Sequence, residues 1–388
     1  MPTLARHVSR QRAGSDILIQ VLVRLANLGL GTVVTALVVR TLGTSLYGQW
    51  STTFVVLGLV GFFGTFGIEE IAVREAARDP EEEFEWLGAV MMVRLMSLLP
   101  VMVCAVAAVV LLHESTEMLI AGLIMVMVMP FGGFSAMALI FRLRVDNRIP
   151  MLVLTIRSVL WGAAVLVVYL NHGNMIELAI ALVLTNLVGT MVQLLAARRL
   201  AGRWARPTSK HLRPLVRNAL PVGITGLLVI AYGRIDQVIV FMIQGSKAAG
   251  LYGAVYLLMD STHFLPGSIL TTMSPVIAAA WPHDPDRMRR AARMTLELLC
   301  IGSFGALAFA TVAAEPIVRL IFGEEFIEAA SVLPVLAGAF VLMSLGYLTD
   351  NLVLVLGKQR RRGQSGTACA RPWQCLYQIH EAVGRQFR

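Results

Sequence analysis

Charge is what this chain has least of. Only 15% of its 388 residues are Asp, Glu, Lys or Arg, against about 25% in soluble globular domains. With 57% hydrophobic residues, a water-soluble fold is excluded. Runs of alternating polarity, the mark of barrel strands, are missing as well. Cysteine is scarce and gives no framework. Cys104 and Cys300 fall within apolar runs, and Cys369 and Cys375 have no partners at zinc spacing. There is no phosphate-binding loop, no His-Glu metal motif, no nucleophile elbow and no large polar segment that could fold as a catalytic domain. No enzyme chemistry, cofactor or metal is expected. The first apolar run, about 17–39, is longer than the core of a cleaved signal and lacks a small-residue exit, so it reads as a retained span.

What remains are apolar stretches of roughly 18 to 25 residues, each long enough to cross a hydrocarbon core about 30 Å thick. Ten are expected, near 17–40, 46–68, 87–112, 117–141, 149–170, 175–197, 219–243, 249–280, 294–314 and 331–356. The eighth is long and holds Pro266, which predicts a kink or a surface extension.

Basic residues orient these spans. With the N-terminus inside, the inner segments hold Arg6, Arg10 and Arg12; Arg74 and Arg78; Arg142, Arg144 and Arg148; a run from Arg198 to Arg217; a run from Arg287 to Arg293; and Lys358 with Arg360, Arg361 and Arg362. The outer loops hold only Arg40, Lys247 and Arg319. Positive charge marks the cytoplasmic side of short loops. The net charge of +9 is thus a topology signal and not a nucleic-acid footprint. It also suits contact with anionic membrane lipids.

A repeat runs through this pattern. Leu46-Tyr47-Gly48 returns as Leu251-Tyr252-Gly253, and Asp79-Pro80 returns as Asp284-Pro285, both at the same offset. Six spans per copy makes the two copies parallel. The expected fold class is therefore an all-α polytopic membrane protein in two repeated lobes, six spans complete and four of a second six. The expected segments are a basic tail 1–14, a first lobe 15–200, a basic linker 201–217, an incomplete second lobe 218–357 and an atypical polar tail 358–388. That tail has the composition of an out-of-frame or truncated ending. Each Asp-Pro reads as a helix start, with Asp as cap and Pro in the first turn. Each Leu-Tyr-Gly reads as an interface anchor beside a close helix approach, and the stretch Glu69 to Glu85 reads as a solvated amphipathic surface helix.

Polar residues inside the spans are the candidates for function. Arg24, Arg94 and Arg157 lie roughly 10–12 Å in from the inner edge and Arg234 roughly 22 Å in, at 1.5 Å per residue. Cations at one depth on alternate helices could line a basic pocket for a pyrophosphate; the competing reading is snorkelling to the headgroups. Asp236, Asp260, Glu297 and Asp350 are candidates for a coupling ion, or for pairing with the arginines.

Several motifs together resemble the polysaccharide-transporter branch of the multidrug/oligosaccharidyl-lipid/polysaccharide flippase superfamily. They are Asn27-x-Gly29-x-Gly31-Thr32 leading to Arg40-Thr41-Leu42-Gly43 and Tyr47-Gly48; Phe66-Gly67-Ile68 with Val73-Arg74-Glu75-Ala76-Ala77; Arg234-Ile235-Asp236-Gln237; Ala249 to Gly253; and Leu320 to Phe326 with Leu333-Pro334-Val335-Leu336. The resemblance covers about residues 15–358. It implies two six-helix lobes around a cationic cavity, in a bacterial inner membrane. It further implies alternating access that flips undecaprenyl-pyrophosphate-linked oligosaccharides for O-antigen, capsule or exopolysaccharide assembly, beside other assembly proteins of the membrane. By this analogy Arg24 and Arg234 hold the pyrophosphate. Members carry twelve to fourteen spans, so a shortened, inactive form is one alternative and a drug or cation antiporter of the same superfamily is another. A membrane-embedded polymerase would need a large external loop, which this chain lacks.

Overall fold

The computed structural model describes residues 10–134, 139–143, 148–200, 209–281 and 283–355. The tail 358–388 and residues 201–208 of the expected linker lie outside the described residues. Those described are helical throughout, with no strand among them. The helices are α1 (Arg10–Thr65), α2 (Ile68–Arg78), α3 (Glu83–Leu112), α4 (Thr116–Val126), α5 (Met129–Phe134), α6 (Leu139–Leu143), α7 (Arg148–Leu170), α8 (Met175–Leu200), α9 (Ser209–Thr262), α10 (Phe264–Ala280), α11 (Pro285–Val312), α12 (Ala314–Phe322) and α13 (Leu333–Val355).

Seven continuous helical segments are long and apolar enough to cross a membrane, and Thr116–Gly132 is a shorter eighth. Hydropathy along the sequence predicts ten spans. The difference lies in α1 and α9, each of which is two antiparallel limbs joined at one glycine. Gly43 has φ 68° and ψ −177°, and Gly245 has φ 80° and ψ −176°. That region is open essentially to glycine alone.

Contacts along α1 show the reversal. Before Gly43, α1 runs parallel to α7: Asn27 Nδ2 donates to Thr155 Oγ1 at 3.3 Å, and seven residues further along both helices Val34 lies against Gly162. Beyond Gly43 it runs antiparallel to α3. Gln49 accepts from Ser115, just past the end of α3, at 2.7 Å, whereas Gly64 lies beside Ser97 and Val101, midway along it. The ends of α3 and α7 share one side, because Glu117 of α4 accepts from the Met175 amide at the start of α8, at 3.0 Å. The same logic holds in α9. Its first limb runs antiparallel to the second limb of α1, with Phe66 on Gly223 and Phe62 on Gly226. After Gly245 the direction is parallel, with Gly48 against Gly250 and Ser51 against Gly253. Ten apolar crossings result.

Two expected spans are broken by proline. Pro130 lacks an amide proton and its ring opposes the carbonyl of Val126, four residues back. There α4 ends, and the chain turns through Met127 and Val128 before α5. The eighth span breaks between Thr262 and Phe264, which leaves Pro266 in the first turn of α10, where its missing donor costs nothing. The first turns of α9 also replace the end of the expected linker: residues 209–217 are helical and Leu215 is fully buried.

By density of contact the chain divides into two compact units, Met1–Ala254 with Arg319–Phe326, and Val255–Val318 with Ile327–Arg388. In the first, an apolar core gathers at the end opposite the glycine elbows. Ile68, Ile71, Ala72 and Ala76 of α2 pack with Trp86, Leu87, Phe141, Leu215 and Ala219. Residues 68–78 are therefore amphipathic, as expected, but the apolar face is buried and not simply laid on a surface. In the second unit α11 packs between α10 and α13. Asn351 donates to Ser274, and the ring of His263 meets Phe340 edge-on at 5.6 Å.

The repeat is visible in the backbone, with one correction. Asp79 and Asp284 adopt nearly the same conformation (φ −130°, ψ 87° and φ −135°, ψ 85°), each with Pro next. Asp79 caps a short 3-10 turn, Pro80–Glu82, before α3. Asp284 caps α11 directly, accepting from Arg287 N at 2.9 Å. The two Leu-Tyr-Gly motifs, however, are not equivalent. The elbow of α1 falls at Gly43 and that of α9 at Gly245, which sets Gly48 opposite Gly250 and not Gly253. Tyr47 is buried edge-on to Phe326 at 6.3 Å, while Tyr252 donates to Asp236 at 2.5 Å. Buried as it is, Tyr47 is not an interface anchor. The left-handed glycine sets the register, and side-chain identity three residues away is coincidental to it.

Candidate functional site

Each polar residue inside an apolar helix needs a partner or a wet surface, and the structure sorts the candidates by which they have. Arg94 of α3 is 5% exposed. Its guanidinium forms an ion pair with Glu69 of α2 and donates to the Gly132 carbonyl of α5. This arginine ties three helices together at the end that carries Arg74 and Arg78. The charge pattern along the sequence points elsewhere, to a Glu69 on a solvated surface helix. One signal could have found the pair: Glu69 and Arg94 flank the Asp79–Glu82 turn at similar distances, so folding back there opposes them.

Arg157 is the contrasting case. It is exposed, and its aliphatic stem lies over Gly189 of α8, where a Cβ would lie 3.0 Å from Arg157 Cδ. No hydrogen bond or ion pair engages its guanidinium among the described residues. At 100° per residue, Leu154, Arg157, Val165 and Val168 share one face of α7. Leu154 is 50% exposed, while Val165 and Val168 are buried. The face is thus open near Arg157 and closed further along. The broad apolar face of α7, with Leu152, Val159, Leu166 and Leu170 exposed, points the other way. Arg157 therefore lies in the half of α7 nearer Arg148, on a face that is exposed there and buried further along.

The remaining candidates are more scattered. Arg24 lies on the first limb of α1, with its side chain outside the described residues. Arg234 and Asp236 are half-buried on the first limb of α9. Asp236 accepts from the Tyr252 hydroxyl at 2.5 Å and from its neighbour Gln237 N at 2.8 Å. Tyr252 carries no sign of this role in the sequence beyond its place: again the partners flank a reversal, here Gly245, at similar distances. Beside them Gln237 is 2% exposed, and its Nε2 is buried without a hydrogen-bond partner among the described residues. Asp260, Glu297 and Asp350 all belong to the second compact unit. Glu297 accepts from Arg293 one turn away at 2.8 Å, both exposed on α11. Asp260 is half-buried and Asp350 exposed. Among the described residues no three His, Cys, Asp or Glu side chains are placed to hold a metal ion.

One further cluster lies at the basic end. Glu82 accepts from Lys210 and, at 3.0 Å, from His211 Nε2 at the start of α9. His211 is 3% exposed and meets Trp86 edge-on at 5.0 Å. These bonds hold the Glu82 carboxyl below the usual carboxylate range and push the Lys210 ammonium above its own.

Residues 13–281 match the family described as polysaccharide biosynthesis protein. The chain belongs to that family. No curated protein matches it in sequence. Its fold is shared with several solved transporters. An inward-facing multidrug resistance MATE transporter of the MOP superfamily superposes with a TM-score of 0.69 at 15% identity, over 87% of this chain and 84% of that one. The lipid II flippase MurJ, in an inward closed conformation, gives 0.65 at 14% identity, over 88% and 76%. The MATE multidrug transporter DinF-BH in complex with R6G gives 0.59 at 17%, over 89% and 84%. This member of the polysaccharide biosynthesis family is thus a multi-pass membrane protein with a flippase-like transporter fold.

Proposed function

We propose that the chain flips undecaprenyl-pyrophosphate-linked oligosaccharides across the bacterial inner membrane, for assembly of O-antigen, capsule or exopolysaccharide. The observation that carries this reading is Arg157. Among the described residues it is an unpaired cation in an apolar helix, exposed in the half of that helix nearer the basic end. A guanidinium there offers several charge-assisted bonds to a diphosphate. Arg24 and Arg234 complete the cationic set in this reading. Arg94 holds the scaffold, since Glu69 already neutralises it. The basic end, with Arg74, Arg148 and His211, is cytoplasmic, as the loop charges require. Arg157 then lies nearer the side on which the lipid-linked substrate would be made.

Asp236 favours a coupled step. A carboxylate inside a membrane helix, bonded to a Tyr hydroxyl, can take up a proton and release the tyrosine. Proton or cation entry at this site would bias alternating access without any enzymatic chemistry. Asp260, Glu297 and Asp350 are weaker candidates for that role, Glu297 because it is exposed and paired.

The experiment is complementation of a flippase-deficient strain that accumulates lipid-linked oligosaccharide. Arg157→Ala is expected to lower surface polysaccharide at least tenfold with normal protein levels, and Arg157→Lys to restore part of it. Undiminished polysaccharide from Arg157→Ala would overturn the assignment. Export of a cationic dye instead, dependent on Asp236, would establish the drug-antiporter alternative.

A further inference from the structure

We propose that the crossing of α1 and α9 at Gly48 and Gly250 is the outer gate of the transport path, and that residues 319–326 form the strap that closes it. The proposal rests on the transporter reading and the orientation given above.

The crossing is reciprocal. A Cβ on Gly48 would lie 1.8 Å from the Ser246 carbonyl oxygen and 2.8 Å from Gly250 N. A Cβ on Gly250 would lie 1.9 Å from the Thr44 carbonyl oxygen and 3.0 Å from Gly48 N. Thr44 follows one left-handed elbow glycine and Ser246 follows the other. The same local structure therefore meets itself across a two-fold relation, the geometry of a self-complementary interface. Backbone touches backbone, and no side chain fits between.

Some of its bonds reach water. The Ser45 and Ser246 hydroxyls share a hydrogen bond at 2.8 Å, with Ser45 exposed. Exposed Arg40 donates to the Leu320 carbonyl and, at 3.0 Å, to the Ile321 carbonyl. These are among the last carbonyls of α12, which lack helical partners and carry the negative end of the helix dipole. Glu325 lies over the Gly43 elbow, 3.1 Å from where a Cβ would be, and Phe326 packs on Tyr47. The strap thus grips one elbow from outside while the second elbow meets it face to face. Parting this seam exchanges protein hydrogen bonds for water, and lifting the strap also exposes the buried rings of Tyr47 and Phe326. At the other end of the same helix pair the rings of Phe62 and Phe66 are keyed onto Gly226 and Gly223. Separation there would strip apolar rings of their packing. A reciprocal seam of bare backbone, clasped by Arg40 and by Phe326 on Tyr47, is the geometry of a closed gate.

The test is cross-linking in the full chain with Cys104, Cys300, Cys369 and Cys375 replaced by Ser. Ser45→Cys with Ser246→Cys should form a disulfide in native membranes under mild oxidant. Linked protein should lose polysaccharide export, and reduction should restore it. Full export by the linked protein would show a fixed pivot and overturn the gate. A second readout needs no substrate, so its failure is separable from failure of the flippase reading. It uses the Ser45→Cys thiol, labelled from outside by an impermeant maleimide. Gly48→Ala and Gly250→Ala should each lower cross-linking at least tenfold and speed this labelling. Gly338→Ala, with nothing within 4 Å of its Cβ position, is the control and should change neither. Arg40→Ala, which removes the strap's grip without adding bulk, should speed labelling at position 45 about tenfold. Unchanged labelling in Arg40→Ala would overturn the strap, and unchanged cross-linking in both glycine variants would overturn the seam.

Discussion

Two arginines at similar depth have opposite fates. Arg94 is buried against a carboxylate and a carbonyl, and removal of one partner leaves a charge that water reaches only in part. Loss of such a pair costs about 3–5 kcal/mol, and the low end applies because Glu69 is about a quarter exposed. Arg94→Ala should therefore lower the melting temperature of detergent-purified protein clearly. Arg157→Ala should leave it nearly unchanged while export falls. Equal destabilisation by the two would contradict the division. The elbow glycines make a sharper test. Gly245 has open space where a Cβ would go, so Gly245→Ala isolates backbone strain, about 1–3 kcal/mol for this region of φ and ψ. The same change at Gly338, inside α13, should stabilise slightly, by about 0.5–1 kcal/mol. Thermal unfolding of both variants checks the contrast.

Among elements, the start of α9 is held to the turn before α3 by Glu82. The Glu82 carboxyl is lowered, first by the bond from Lys210 and then by that from His211. A lowered acid stabilises the folded state above its unfolded value, near 4.5, and loses that contribution as pH falls through the folded value. Lys210 is raised by Glu82, so its contribution is complete below about 10.5 and is lost as pH rises beyond. The clasp should thus be intact across neutral pH and weaken only below the ordinary carboxylate range or above that of a lysine. Hydrogen exchange of residues 209–219 should be slow and flat from pH 5 to 9, once corrected for intrinsic rates, and faster in Glu82→Gln. Most element boundaries are legible in the sequence, because apolar length and the caps Asp79 and Asp284 are local signals. The breaks at Pro130 and His263 are less so. A proline shows that a helix is in difficulty, whereas packing decides on which side it yields.

At the scale of the molecule, topology is the property most open to direct test. Cysteines placed at Glu114, His172 and Lys247 should react with an impermeant maleimide in intact cells. Cysteines at Arg74 and Arg287 should react only after permeabilisation. The reverse pattern would invert the orientation and move the proposed gate to the cytoplasmic face. Compactness does not follow the sequence repeat: the second lobe's first helix, its elbow and residues 319–326 all cluster with the first lobe. A strap from one repeat on the elbow of the other is what a gate between repeats requires.

The residues alone determined that this is a helical membrane protein, how many times it crosses and which family it belongs to. Those properties depend on hydropathy, charge placement and short motifs, all written along one dimension. Pairing was a different matter. That Glu69 answers Arg94, that Tyr252 answers Asp236 and that Gly48 meets Gly250 in place of Gly253 follow from where the chain reverses. A reversal is set by one left-handed glycine or one capped turn, and a shift of three residues there exchanges one partner for another. Only the tertiary structure decided which polar groups are spent on the scaffold, because that depends on which side chains the reversals bring together.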